Sequence, residues 1–127
     1  MKLKFIKQSF QTAAVNAVAD LFIGQEKKTA TFSIVQGEQF SLLENQYGIG
    51  NALLIDDAAM LANMQAVQKR NTLPMTHDLE GRQFSVEMET GTGKTYVYTK
   101  TIFELHKRFG FAKFIIVVPS VAIREGV

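Results

Sequence analysis

The residues with the most distinctive chemistry lie in the stretch 88–95, which reads Met-Glu-Thr-Gly-Thr-Gly-Lys-Thr. Glycines at this spacing allow a turn to point several backbone N–H groups at one anion, ahead of a positively polarised helix N-terminus. Lys94 would contact the β- and γ-phosphates of a nucleotide, and the Thr95 hydroxyl would bind Mg²⁺. The remaining residues of this predicted nucleotide-phosphate site are Thr90, Gly91, Thr92 and Gly93.

A phosphate-binding loop requires a strand before it and a helix after it, and the sequence predicts both. Residues 84–88 alternate between apolar and polar side chains as a strand does, and residues 95–109 have helical periodicity. The helix is expected to bury one face against the sheet, namely Tyr98, Ile102, Leu105 and Phe109. The β-branched run 114–118 is typical of a buried parallel strand, which completes a right-handed βαβ unit. Two details depart from the usual pattern. Met88 stands where the loop normally begins with glycine, and Glu87 would need a partner if the first strand were buried.

The N-terminal part of the chain predicts a helix over residues 9–23. Ser9 is the expected N-cap, and Gly24 stands where a helix commonly ends. The apolar face of this helix is predicted to bury Phe10, Ala14, Val18, Leu21 and Phe22. Gln11, next to Phe10, is expected to face solvent.

The middle segment, residues 26–82, carries no recognisable chemistry. Residues 31–35 and 39–43 alternate like the two strands of a hairpin, and residues 47–51 resemble a loop. A second helix is predicted from Asp56 or Asp57 to about Arg70, and its apolar face comprises Leu61, Met64 and Val67.

Composition restricts the class of protein. The 127 residues are 46% apolar and 20% charged, with a net charge of only +2, which is too small to indicate nucleic-acid binding by bulk electrostatics. There is no cysteine, so disulfides and thiolate metal sites are excluded. No apolar run approaches the roughly 20 residues of a membrane span. These features predict a soluble, cytoplasmic protein.

The basic residues 106–108 lie at the C-terminal end of the predicted helix 95–109. Because this end of a helix carries a partial negative charge, helix stability explains these residues without a DNA-binding role.

Three stretches together resemble one protein family. Residues 88–98 closely resemble the first helicase motif of the restriction (Res) subunit of type III restriction endonucleases. Residues 114–127 are similar to the next motif of that family, called Ia, and residues 10–15 to its glutamine motif. The resemblance implies an α/β fold, namely the N-terminal part of a RecA-like P-loop NTPase domain. The expected organisation is a glutamine motif at about 8–24, an insertion at about 26–82 and the βαβ unit at 84–120.

The resemblance also implies a function. Members of the family are expected to hydrolyse ATP with Mg²⁺ in a superfamily 2 helicase-like motor that acts on double-stranded DNA. A separate nuclease domain cuts the DNA, and a modification (methyltransferase) subunit recognises the sequence. Gln11 matches the residue that reads the adenine edge, and Ser120 and Arg124 match the motif along the DNA backbone.

Several parts of such an enzyme are missing from these 127 residues. There is no Asp-Glu-x-x motif, no arginine finger and no carboxylate cluster of a nuclease, so no catalytic residue is assigned. We therefore expect an N-terminal fragment that is inactive by itself and belongs to an ATP-dependent endonuclease. Three alternatives stay open: a DNA helicase or translocase without a nuclease, a nucleotide-binding module without catalysis, and a small P-loop kinase.

Overall fold

A computed structural model describes residues 6–27, 51 and 53–119. Helix α1 is Ser9–Ala19, and a 3₁₀ turn, Asp20–Phe22, continues it. Helix α2 is Asp57–Arg70, and helix α3 is Lys94–Phe109. The three predicted helices are therefore confirmed, with bounds within a few residues of those expected. The predicted hairpin at 31–43 and most of the loop at 47–51 lie outside the described residues.

Helix α1 differs from the prediction in its cap and in its buried face. Gln8 is the N-cap, so the prediction of Ser9 is wrong. The buried residues are Gln11, Val15 and Ala19, one position after the predicted series of Phe10, Ala14 and Val18. One position is a rotation of about 100° around a helix. Both faces of α1 contain small or apolar residues. Contact with α3 decides that the face with Val15 and Ala19 is the buried one.

Helix α2 begins as expected at a carboxylate cap. Asp56 Oδ1 accepts a hydrogen bond from Ala59 N at 2.8 Å. Met60 and Val67 are its buried residues, while the predicted Leu61 and Met64 are half-buried. The helix is fastened to the 3₁₀ turn by Asn63, whose Nδ2 donates to Leu21 O at 3.0 Å and to Ile23 O at 2.9 Å.

Helix α3 is bounded by a glycine at each end. Gly93 is the N-cap, and Gly110 ends the helix with its N–H donating to His106 O at 2.9 Å. The buried face comprises Val97, Thr101, Leu105 and Phe109. Tyr98 and Ile102, which were predicted to be buried, are only half-buried. The helix packs against α1, whereas the prediction oriented it towards a sheet.

An aromatic core joins the C-terminal ends of α1 and α3. Ala19, Leu105, Phe109 and Phe111 form a buried cluster, against which Phe22 packs. The ring centroids of Phe22 and Phe111 are 5.2 Å apart in an edge-to-face arrangement, and those of Phe22 and Phe109 are 5.9 Å apart. Such geometry is favourable for aromatic quadrupoles. This cluster fixes the spacing of the two helices.

The parallel strands predicted at 84–88 and 114–118 are not confirmed within the described residues. Neither segment forms a strand there, and Ile115 and Val117 are 93% and 88% exposed. Extended backbone becomes a strand only when its N–H and C=O groups meet those of a neighbour. Just before the second segment, the backbone is held by a side chain: Asn51 Oδ1 accepts from Ala112 N at 2.9 Å, and Asn51 Nδ2 donates to Lys113 O at 2.7 Å.

The domain boundaries inferred from the sequence stay predictions. Within the described part of the chain, no helix combines the length and hydropathy needed to cross a membrane.

Candidate functional site

The candidate site is built on the turn that precedes α3. Gly91 and Gly93 have positive φ angles of 78° and 86°, which L-residues with a Cβ rarely adopt. The Thr92 hydroxyl donates to Glu89 O at 2.6 Å and closes the turn. The two glycines of the predicted phosphate loop therefore occupy the positions where their conformational freedom is needed.

The turn leads directly into an open helix N-terminus. Lys94 and Thr95 are the first two residues of α3, and both are exposed. Among the described residues, no side chain caps this end of α3, and no acidic residue stands in its first turn. A helix N-terminus carries about half a positive charge, so an anion is stabilised there. This end of α3 fits the phosphate groups of a nucleotide, because Lys94 adds a full charge and nothing nearby on the first turn opposes it.

Gln11 reaches this loop from α1. Its Nε2 donates to Thr92 O at 3.0 Å, and its Oε1 accepts from Gln8 N at 3.4 Å. Gln11 is only 9% exposed, whereas Phe10 is 48% exposed. The expectation of a core aromatic beside a solvent-facing amide is therefore wrong. The amide is buried because it finds hydrogen-bond partners, which removes the main penalty of burying a polar group.

An open groove of about 530 Å³ runs between α1 and the loop. Its lining comprises Ile6, Gln8, Phe10, Gln11, Gly91, Thr92 and Gly93. The structure thus brings one predicted site residue of α1, Gln11, together with three predicted residues of the loop. The hydrogen bond between Gln11 and Thr92 joins residues that are 81 positions apart in sequence. Ile6 and Gln8 belong to the groove as well. Sequence reasoning missed both, because neither side chain has distinctive chemistry.

Two other residues of the predicted site are exposed to solvent. Thr90 is exposed on the turn, and Thr95 is exposed at the start of α3. Ser120 and Arg124 lie outside the described residues. Glu87 is exposed, so the partner that a buried carboxylate would need is not required. Among the described residues, no group of three or more His, Cys, Asp or Glu side chains is arranged to hold a metal ion.

A network of ion pairs supports the site by holding α1 against α3. Asp20 Oδ1 accepts from Arg108 Nη1 at 3.1 Å, and Asp20 Oδ2 accepts from Arg70 Nη1 at 2.8 Å. Arg108 also donates to Asn16 Oδ1 at 3.0 Å and pairs with Glu104 at 3.1 Å. Of these contacts only the Glu104–Arg108 pair, four residues apart on one helix, has a recognisable sequence signal.

The pKa of Glu104 reflects this network. A hydrogen bond from the Lys100 side chain, with the charge of Lys100 and the contacts of Arg108, lowers the pKa below its ordinary value of 4.5, although burial opposes the shift. The carboxylate is therefore ionised at neutral pH and stabilises the C-terminal half of α3.

Comparison with known proteins identifies the family of this chain. The family model described as "Type III restriction enzyme, res subunit" matches residues 7–127. The chain is 35% identical over 122 residues to the type III restriction-modification enzyme EcoPI Res subunit of Escherichia phage P1. It is 37% identical over 119 residues to the EcoP15I Res subunit of Escherichia coli. Each alignment covers 91% of this chain.

A third relative is similar over a shorter stretch. The StyLTI Res subunit of Salmonella typhimurium is 63% identical over 41 residues, which is 32% of this chain. The chain spans only 11% of the length of the EcoPI and EcoP15I relatives. The family match covers nearly all of the sequence, including the turn before α3 and the part of α1 that contacts it. The chain therefore belongs to the family of type III restriction enzyme Res subunits.

Proposed function

We propose that this chain forms part of the ATP site of a type III restriction enzyme, and that the full-length protein couples ATP hydrolysis to movement or communication along DNA before cleavage. The observation that carries the proposal is the uncapped N-terminus of α3, opened by Gly91 and Gly93 and contacted by Gln11. Membership of the Res family and the names of the relatives, which are restriction-modification enzymes, support it.

Each residue of the loop has a proposed role in binding ATP. The loop backbone, from Thr90 to Gly93, surrounds the phosphates, and the Lys94 ammonium neutralises charge on the β- and γ-phosphates. The Thr95 hydroxyl would hold Mg²⁺, which when bound would neutralise negative charge on the phosphate oxygens and so favour attack by water on the terminal phosphoryl group. Removing the terminal phosphoryl group also requires groups that orient a water molecule, and these are proposed to lie on other parts of the full-length protein.

DNA and a modification subunit are the proposed partners. Ser120 and Arg124 are proposed to contact the DNA backbone, because they lie in the stretch 114–127 that resembles motif Ia. An arginine and a hydroxyl are the usual donors to phosphate oxygens. The sequence itself is proposed to be read by the modification subunit.

Substitution of Lys94 tests the proposal. In the full-length protein we expect Lys94→Ala to abolish DNA-stimulated ATP hydrolysis, since the main positive charge of the site is lost. Lys69→Ala is the matched control, because Lys69 is an exposed lysine in the last turn of α2. ATP turnover would be followed with and without DNA. Unchanged turnover in Lys94→Ala would refute the assignment.

The same preparation separates a restriction enzyme from a motor without a nuclease. Double-stranded DNA would be incubated with the full-length protein, the modification subunit, ATP and Mg²⁺. DNA cleavage that is lost in Lys94→Ala supports the restriction enzyme. ATP hydrolysis without cleavage supports a helicase or translocase.

A further inference from the structure

We propose that a basic groove between α1 and α3 binds the phosphate backbone of double-stranded DNA. The proposal rests on the proposed function, because it gives the DNA partner named there a further contact surface. The groove has a volume of about 370 Å³, and its basic residues are Lys7, Lys100, Lys107 and Arg108. It shares no lining residue with the groove beside the turn before α3.

The first step of the argument concerns the charge of the basic groove. Its lining contains four basic residues and one acidic residue, Glu104, which gives a net charge of +3. The whole chain of 127 residues carries only +2. The positive charge is therefore concentrated between these two helices. A local excess of this kind attracts anions, although the total charge of the chain is too small to do so.

The second step is that the carboxylates at the basic groove are already paired. Glu104 Oε1 accepts from Lys100 Nζ at 3.1 Å, and Glu104 Oε2 accepts from Arg108 Nε at 3.1 Å. Asp20, the other carboxylate that contacts the lining, accepts from Arg108 Nη1 at 3.1 Å. These pairs hold the groove together and leave its remaining positive charge without a counter-charge.

The third step is that Lys7 and Lys107 have no such partners. Both are exposed, and neither forms an ion pair within the part of the chain that the structure describes. Lys107 is favoured by the negative C-terminal end of α3, but Lys7 directly precedes the N-cap of α1, where a positive charge is unfavourable. Helix stability therefore does not explain Lys7. An anion bound between the helices does.

The fourth step is that the neutral lining suits phosphate oxygens. Thr12, Asn16 and Tyr96 contribute the uncharged polar side chains of the groove. Threonine, asparagine and tyrosine, with lysine and arginine, are the side chains that contact the phosphates of nucleic acids. The oxygen of the Asn16 amide accepts from Arg108 Nη2 at 3.0 Å, so the amide presents its N–H groups as donors to an anion.

The fifth step compares the length of the basic groove with the spacing of phosphates. Lys100 and Lys107 are two helical turns apart, which is roughly 10 Å along α3. One strand of DNA carries a phosphate about every 3.4 Å along the duplex axis, so about three phosphates cover this length. A single phosphate ion would contact only part of it. The groove therefore fits a chain of phosphates.

The experiment measures the affinity of the full-length protein for two DNA duplexes of unrelated sequence, by fluorescence anisotropy, from about 50 to about 200 mM salt. The variant combines Lys7→Gln with Lys107→Gln, which leaves the ion pairs of the groove intact. The matched control combines Lys27→Gln with Lys69→Gln. It changes the net charge equally, and both lysines are exposed and lie outside the groove.

Two further measurements accompany DNA binding. ATP hydrolysis without DNA should be unchanged in both double variants, which checks that each one folds. Association with the modification subunit is measured in the absence of DNA, because an acidic protein surface is the alternative occupant of a basic groove.

We expect the groove variant to bind both duplexes more weakly by a common factor, since phosphate contacts carry no sequence information. The slope of log affinity against log salt concentration should become shallower by about 2, nearly 1 for each lost contact between a lysine and a phosphate. The loss of affinity should therefore shrink roughly tenfold between the lower and the higher salt concentration. The control variant should keep the wild-type slope.

Three results would overturn the proposal: a slope that does not differ from that of the control variant, weaker binding of one duplex alone, and unchanged DNA binding with weaker association with the modification subunit. The proposed function has a separate test. If Lys94→Ala retains ATP hydrolysis, the proposed function fails. An inactive Lys94→Ala together with wild-type DNA binding by the groove variant refutes the basic groove alone.

Discussion

Asp20 lies 3.1 Å from Arg108, although 88 residues separate them in sequence. This ion pair joins the turn at the end of α1 to the last turn of α3, and the second oxygen of Asp20 pairs with Arg70 of α2 at 2.8 Å. One carboxylate therefore links all three helices. The arrangement matters for the candidate site, because the relative placement of α1 and α3 brings Gln11 to the turn before α3.

We expect Asp20→Asn to lower the free energy of unfolding by about 1 kcal/mol. The substitution weakens two partly exposed ion pairs, and each such pair contributes about 0.5 kcal/mol. Urea denaturation of the chain provides the measurement. Asp78→Asn is the control, because Asp78 is exposed, and its effect should stay below about 0.5 kcal/mol. Equal effects of the two substitutions would mean that the pairs of Asp20 contribute nothing to stability.

The lowered pKa of Glu104 predicts how stability depends on pH. A carboxyl group whose pKa is lower in the folded state stabilises that state when ionised. The contribution of Glu104 is therefore fully present above its ordinary pKa of 4.5 and is lost as the pH falls through the lower folded pKa. Glu104→Gln removes this component, so the difference in unfolding free energy between wild type and variant should shrink as the pH is lowered from about 6 to about 3. A difference that stays constant over this range would contradict the assigned ionisation.

Alanine substitutions at the two loop glycines should differ in cost. Both residues have positive φ angles, so each alanine adds about 1 kcal/mol of backbone strain. Only Gly93→Ala also forces Gln11 away, and we expect it to destabilise the chain more than Gly91→Ala does. A double-mutant cycle checks the cause: in a Gln11→Ala background, Gly93→Ala should cost less than in the wild type. Additive costs would show that the contact with Gln11 is unimportant.

The aromatic core predicts a large effect at Phe111. We expect Phe111→Ala to lower the free energy of unfolding by about 3 kcal/mol, because a buried ring that packs against Phe22 and Phe109 leaves a cavity. Phe103→Ala is the matched control. Phe103 lies on α3 and is 63% exposed, so its loss should cost less than about 0.5 kcal/mol. Similar losses at both positions would contradict the assignment of the core.

The sequence by itself determined the local features of this protein. The bounds of α2 and α3 follow from Asp56 as an N-cap and Gly110 as a helix end, because capping depends on residues within a few positions. The turn before α3 follows from its glycines for the same reason. The spacing of Gly91, Gly93 and Lys94 was enough to predict a glycine turn at the start of a helix, and the binding of phosphate there stays a prediction.

Only the tertiary structure decided which face of α1 is buried and what Gln11 contacts. The residues Phe10, Ala14 and Val18 form as regular an apolar series as Val15 and Ala19, and periodicity does not distinguish them. Packing against α3 selected the second series and buried Gln11 with it. The partner of Gln11 is a backbone carbonyl, Thr92 O, which has no signature in a sequence. Long-range contacts of this kind depend on how helices pack, and that is a property of the folded chain.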